Sequence, residues 1–266
     1  MKTFILTILL LFAYLNLFGQ LGKRLNEFTE KNISNIAIDR LGDFYLQFKN
    51  QSIKKYDTGG NYLYTFKSTS DSITSLHPWN PLNVFVYERN NQTILFLDRV
   101  LQPLNKISIN SSLAIEPWLA CAGSNNSNYW LYDKADHSLK KINITNETIS
   151  LEIDLKKLYG QQTPNLVYVR EYQNLLFLLD QKEGIKITSI TGKLIESFPS
   201  VRIKNFGFMG EELYYLEENK LKFYNLYTKQ QHNIEIGNDI AFALATDEKV
   251  ILVSNAGKVS IWEFMP

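Results

Sequence analysis

The amino-acid sequence predicts an all-β protein in which a unit of four strands recurs along the chain. Strand-like segments separated by polar turns follow one another throughout. Similar segments return at a spacing of about forty residues, the size of a β-propeller blade. No stretch keeps a helical period, and only 151–159 is a candidate for a turn of helix. Six such units can be counted. We therefore expect a six-bladed β-propeller; a double-sheet sandwich is the alternative all-β fold.

Each unit ends in a hairpin. The clearest examples are 53–66 and 185–198, where an alternating strand, a turn containing Gly and a second strand end in Phe. A spacing of about forty residues separates the equivalent positions in successive units. These positions are Phe28, Phe66, Ile107, Leu151, Phe198 and Ile236.

Ahead of the hairpins lies a second recurring pair of strands. An apolar segment ends in a polar turn and is followed by an aromatic-rich strand, as in 36–46, 166–177, 206–215 and 241–252. Nearly continuous apolar runs are typical of strands buried on both faces, whereas the alternating outer strands are expected to be half exposed.

The two ends of the chain are predicted to share one blade. The sixth unit lacks its outermost strand, and 22–28 is a strand without a unit of its own. We expect 22–28 to pair with 259–264, because pairing satisfies the backbone groups of both edges. The fold class is thus a propeller whose N-terminal strand closes the last blade.

This pattern resembles six-bladed propellers of the NHL and TolB-like kind, and more loosely WD40-like propellers. The resemblance covers 20–266, which it implies to be a single propeller domain. It is a resemblance of architecture, since the WD and GH signatures of WD40 repeats are absent.

The first residues are typical of a secretory leader. Lys2 precedes an apolar run over 4–15, and Gly19 offers a small residue for cleavage. We expect 1–19 to be a signal peptide, with an uncleaved anchor as the alternative. The Gly-Gln ending resembles exported proteins of Gram-negative bacteria, so the expected location is the periplasm or the exterior. No further apolar segment is long enough to span a membrane.

Composition excludes several classes of protein. The 28 basic and 27 acidic residues give a net charge of +1, which argues against nucleic acid as a partner. A single cysteine, Cys121, rules out an internal disulfide and a multi-cysteine metal site. We interpret Cys121, within an apolar segment, as a buried structural thiol.

The usual catalytic patterns are not found. The sequence has no Gly-rich phosphate loop and no Gly-x-Ser-x-Gly motif. Its histidines, His77, His137 and His232, belong to different blades. The acid pairs 211–212 and 217–218 border predicted turns, where adjacent side chains point to opposite faces. We expect no catalytic, cofactor or metal site.

Two Pro-Trp pairs are the candidate contact residues. His77 and Trp79 belong to the inner segment of blade 2, and Glu116 and Trp118 to that of blade 3. Tryptophan offers a large rigid contact surface, so these four residues are candidates for binding a protein partner. Packing of both indoles between blades is the alternative interpretation.

The predicted function is a non-catalytic protein-binding or scaffolding module in the periplasm. The assembly to which it would belong is one of the envelope or outer membrane. Two alternatives stay open: an enzyme such as a lyase or hydrolase, and a sensor of small ligands or carbohydrates, each with a site at the channel mouth.

Overall fold

The computed structural model describes residues 20–69, 72–125, 127–160 and 162–265. They form a six-bladed β-propeller of four-stranded antiparallel sheets, which confirms the predicted fold class. The predicted leader, 1–19, lies outside the described residues. Among the described residues, no helix has the length and apolar character that a membrane crossing requires.

The secondary structure consists almost wholly of strands. In chain order the strands are β1 (Gln20–Thr29), β2 (Ile33–Ile38), β3 (Phe44–Phe48), β4 (Ser52–Tyr56), β5 (Tyr62–Lys67), β6 (Ile73–His77), β7 (Val84–Glu88), β8 (Thr93–Leu97), β9 (Pro103–Ser108), β10 (Pro117–Ala122), β11 (Asn128–Asp133), β12 (Ser138–Asn143), β13 (Thr148–Asp154), β14 (Leu166–Tyr172), β15 (Leu175–Asp180), β16 (Gly184–Ser189), β17 (Leu194–Phe198), β18 (Phe206–Met209), β19 (Glu212–Glu217), β20 (Lys220–Asn225), β21 (Gln231–Glu235), β22 (Ile240–Ala245), β23 (Lys249–Ser254) and β24 (Lys258–Met265). A short helix, α1 (Lys156–Tyr159), follows β13.

Blades 1 to 4 belong to one compact unit, Asn32–Lys204. They are β2–β5, β6–β9, β10–β13 and β14–β17, each with its strands in chain order. Strands β3, β7 and β8 are buried along their whole length, whereas the outermost strand β9 is mostly exposed. The middle strands are apolar on both faces because neighbouring blades cover both of them.

The core of this unit lies between successive blades. Tyr45 of blade 1 packs in one buried cluster with Leu76 and Val86 of blade 2. Tyr87 of blade 2 likewise packs with Leu131 of blade 3. Each fully buried side chain of this size contributes roughly 1.5–3 kcal/mol, so these contacts are the main force that holds the four sheets together.

Blades 5 and 6 belong to the second unit, which also contains residues 20–31. Blade 5 is β18–β21, and blade 6 is β22–β24 with β1 paired to β24. Phe28 lies opposite Val259, and Leu21 lies opposite Phe264. The predicted completion of the last blade by the N-terminal strand is therefore confirmed.

Candidate functional site

The first strands of blades 2, 3 and 4 end at one cavity of about 310 Å³. Strand β6 ends there at His77, β10 at Ala122 and β14 at Tyr172. Arg40, in the turn between β2 and β3, adds a side chain from blade 1. All of the lining residues belong to the unit Asn32–Lys204.

Trp79 lies at this cavity on the loop between β6 and β7. The Asn80 side-chain oxygen accepts a hydrogen bond from the Leu82 N–H at 3.2 Å, and the Asn80 carbonyl accepts one from the Asn83 N–H at 3.0 Å. The Trp79 carbonyl accepts a hydrogen bond from the Arg40 N–H at 3.3 Å. The loop is thereby tied to the neighbouring blade.

The Trp79 indole has an aromatic and a cationic neighbour. Its ring lies edge-on to Tyr172, with 5.9 Å between the ring centres. The Arg170 guanidinium is 5.5 Å from the indole centre, a distance at which a cation is attracted to the ring. Trp79 is nevertheless 38% exposed. The ring is therefore positioned by its neighbours while part of its surface faces solvent.

His77 forms an uncharged part of the cavity wall. Its buried ring stacks on Tyr168, with 5.2 Å between the ring centres, and meets Phe85 edge-on. The Ala120 carbonyl accepts a hydrogen bond from the ring. Nε2 has no partner in the described part of the chain, so Nδ1 carries the proton. Burial and then the Arg170 charge hold the pKa of His77 well below its ordinary value. His77 is therefore neutral at pH 7.

Glu171 is the acidic side chain among the described residues that line the cavity. Its carboxylate accepts hydrogen bonds from the Trp130 indole N–H at 2.7 Å and the Ser124 N–H at 3.1 Å. The Lys141 ammonium donates a third, at 3.2 Å. The carboxylate thus joins blade 3 to blade 4, and its charge is balanced inside the protein.

Glu116 and Trp118 lie elsewhere. Glu116 precedes β10 and Trp118 is near its start, whereas the cavity is at its end, roughly 13 Å from Trp118 at 3.3 Å per residue. The Arg89 guanidinium and the Lys134 ammonium are each 3.7 Å from the Trp118 ring centre. Glu116 pairs with Lys134 at 3.6 Å. The structure therefore brings His77 and Trp79 together but separates them from the second Pro-Trp pair. Partner binding by any of the four residues stays a prediction.

Several other residues considered in the sequence analysis are buried or form ion pairs within the protein. Cys121 is buried, as predicted, and burial raises the pKa of its thiol to about 12. At the ends of β19, Glu212 pairs with His232 and Glu217 with Lys222. No group of potential metal ligands occurs in the part of the chain that the structure describes.

The sequence analysis missed most of the cavity lining, including Arg40, Arg170 and Tyr172. A signal for them does exist in the repeat. The first strands of neighbouring blades end side by side, so the residues that end 166–172 and 33–38 are equivalent to those around His77. Comparing the blades at that position would have grouped them.

No protein-family model matches the chain, and no curated protein matches its sequence. Solved structures are similar in fold. The β-propeller domain of Cps50 (Swd1) from Myceliophteria thermophila has a TM-score of 0.62 at 9% identity, over 90% of this chain and 98% of that one. The C-terminal WD40 domain of Sif2 has a TM-score of 0.51 at 10% identity, over 87% of this chain and 66% of that one, slightly less than two thirds of its length. BamB from Moraxella catarrhalis has a TM-score of 0.44 at 11% identity, over 86% of this chain and 82% of that one. At these identities the similarity shows the propeller fold alone.

Proposed function

We propose that the protein is a non-catalytic propeller of the bacterial periplasm that binds a protein partner, as part of an envelope or outer-membrane assembly. The propeller fold fits a protein-interaction scaffold. The observation that carries the proposal is the position of Trp79, a rigidly held and partly exposed indole beside a cavity. Tryptophans in such positions are the side chains that contribute most to protein interfaces.

Two exposed apolar side chains lie on the turns that carry and adjoin Trp79. Leu82, on the same loop, is 60% exposed, and Leu41, on the turn that hydrogen-bonds this loop, is 67% exposed. Both turns are fixed by side-chain hydrogen bonds, since Asp39 binds the Leu41 N–H as Asn80 binds the Leu82 N–H. A preorganised apolar rim of this kind lowers the entropic cost of binding a partner.

The hydrogen bonding of the cavity supports a non-catalytic role. Acid–base catalysis needs a titratable group that can exchange a proton with a substrate. The Glu171 carboxylate is already bound to three donors, and Nε2 of His77 is covered by protein. Neither group is presented to the cavity as a general acid or base. The periplasmic part of the proposal rests on the leader-like sequence over 1–19.

A photo-crosslinking amino acid at Leu82 tests the protein-binding proposal in cells. The same amino acid at Leu104, which is 58% exposed on β9, is the matched control. We expect one predominant crosslinked protein from position 82 and none from position 104. That protein, purified, should bind the wild type at least tenfold more tightly than the Trp79→Ala variant. Tyr62→Ala, another exposed aromatic in the same unit, should bind like the wild type. Equal crosslinking at both positions, or equal affinity for Trp79→Ala, contradicts the proposal.

Cell fractionation tests the location. We expect the protein in the periplasmic fraction when 1–19 is present, and in the cytoplasm when 1–19 is replaced by a single Met. Cytoplasmic location of the complete chain contradicts this part of the proposal.

Binding of a small polar ligand is the second candidate function. The size of the cavity, about 310 Å³, is at the lower end for small-molecule sites, and Asn80, Asn83, Asn125 and Asn128 line it beside the aromatic rings. Saturable binding of a mono- or disaccharide, lost in Trp79→Ala and without any protein crosslink at position 82, would favour this function.

A further inference from the structure

The charges around the cavity indicate what kind of partner segment it binds. Its described lining contains two guanidinium groups, those of Arg40 and Arg170, and one carboxylate, that of Glu171. The Glu171 side chain is 1% exposed and holds Lys141 at 3.2 Å. Its negative charge is therefore balanced by Lys141. The lining as a whole presents positive charge to a ligand.

Both arginines line the cavity together with Trp79. The Arg170 guanidinium is 5.5 Å from the indole centre, and the Arg40 backbone is hydrogen-bonded to the Trp79 carbonyl. The Arg40 side chain is exposed and makes no ion pair within the described ranges. Guanidinium groups bind carboxylates through paired N–H donors, and an aromatic neighbour restricts an arginine before binding. The arrangement is suited to one carboxylate beside one apolar contact.

The size of the cavity favours a linear segment over a folded surface. A volume of about 310 Å³ accommodates one or two side chains. Aromatic and aliphatic groups, including Phe85, Phe96 and Ile144, form part of its lining, so an apolar side chain is also accommodated. A phosphodiester chain is disfavoured because the protein, with a net charge of +1, carries no excess of basic residues for a row of phosphates.

We propose that the cavity binds an extended segment of the partner protein in which an acidic residue adjoins an aliphatic one. The carboxylate is bound by Arg40 and Arg170, and the aliphatic side chain lies against Trp79 and Leu82. This inference rests on the proposed protein-binding function and adds the chemistry of the bound segment.

Selection from a random heptapeptide library displayed on phage tests this inference on the purified protein. We expect the selected sequences to contain Asp or Glu next to Leu, Ile or Val. A synthetic copy of the leading peptide is then measured by calorimetry, together with a copy in which Glu is replaced by Gln. Loss of the carboxylate should weaken binding at least tenfold, because a hydrogen-bonded ion pair is broken.

Variants of the protein complete the test. Arg40→Gln, at an exposed position, should weaken the same peptide at least fivefold while leaving the melting temperature unchanged. Arg99→Gln removes an exposed arginine outside the cavity lining and should have no effect. Selected peptides without acidic residues, or equal affinity of the wild type and Arg40→Gln for the peptide, would overturn the proposal that the bound segment is acidic. Either result would leave the proposal of peptide binding intact. Failure to select any peptide would overturn the proposed function as well, and saturable binding of galacturonate in its place would support the small-ligand alternative.

Discussion

The environment of His77 links a single side chain to the pH dependence of stability. Its ring is enclosed by Tyr168 and Phe85, and only Nδ1 is hydrogen-bonded. Burial, with the Arg170 charge as a second cause, lowers the pKa of the folded ring below the ordinary value near 6.5. The unfolded chain therefore binds a proton at a pH where the folded chain does not.

We expect the free energy of unfolding of the wild type to decrease as the pH falls below 6.5, relative to a His77→Phe variant. A depressed pKa gives stability that is present above the unfolded value and lost below it, by up to about 1.4 kcal/mol per pH unit while the folded ring stays neutral. Urea unfolding of both proteins at pH 7.5, 6.5 and 5.5 measures the difference. A constant difference between the two proteins over this range would show that His77 is protonated as readily in the folded state as in the unfolded one.

Cys121 is expected to be unreactive in the folded protein. Burial, reinforced by the Glu171 charge, raises the pKa of its thiol to about 12. At pH 8 the thiolate is then only about one part in ten thousand of the folded population, and the thiolate is the reactive form. Labelling with a thiol-disulfide reagent at pH 8 should be slow without denaturant and complete within minutes in 6 M guanidinium. Rapid labelling of the folded protein would contradict the buried position.

At the scale of elements, the repeat could be predicted from sequence because each hairpin is local. Two of the outer hairpins carry a Gly turn, β4–β5 and β16–β17, and these were found at 53–66 and 185–198. The bounds of the helix were predicted less accurately. Residues 151–159 were its candidate range, but β13 continues to Asp154 through pairing with β12, so α1 begins only at Lys156. Pairing with a neighbouring strand takes precedence over a local helical pattern.

The candidate site was only half predicted, since it is assembled from blades about forty residues apart in the sequence. His77 and Trp79 lie two residues apart in the sequence, and Trp79 belongs to a conspicuous Pro-Trp pair. Arg170 and Tyr172 end an apolar strand that looked like core, and their approach to Trp79 exists only in the folded unit. Trp118 carried the same local signal as Trp79, yet its ring is occupied by Arg89 and Lys134.

The turn between β23 and β24 offers a test of how the N-terminal strand is held. Gly257 has φ of +85° and accepts a hydrogen bond from the Glu30 N–H, and a Cβ there would lie 2.1 Å from the Glu30 carbonyl oxygen. Gly237 has φ of +92° but nothing within 4 Å of a Cβ. Gly237→Ala should therefore cost only the conformational strain, about 1–2 kcal/mol. Gly257→Ala should cost clearly more in the same denaturant titration, and equal losses would show that residue 30 yields without cost.

At the scale of the whole molecule, the fold depends on one sheet that takes strands from both ends of the chain. Strand β1 pairs with β24 along most of its length, and Leu21 packs against the buried cluster that contains Phe264. Without β1, the edge of β24 has unpaired backbone groups and part of that cluster is uncovered. Several kcal/mol of burial and hydrogen bonding would be lost.

A chain that starts at Asn32 should accordingly melt roughly 10 °C or more below the chain that starts at Gln20. A synthetic peptide of residues 20–31 should restore the melting temperature with 1:1 stoichiometry, because it supplies the missing strand in the register of Phe28 opposite Val259. A peptide of the same composition in scrambled order should not, since the apolar side chains would face the wrong side of the sheet. Calorimetric melting with and without each peptide decides the matter. If the shortened chain melted at the same temperature as the longer one, the N-terminal strand would be an accessory to blade 6 and the other strands would hold the fold by themselves.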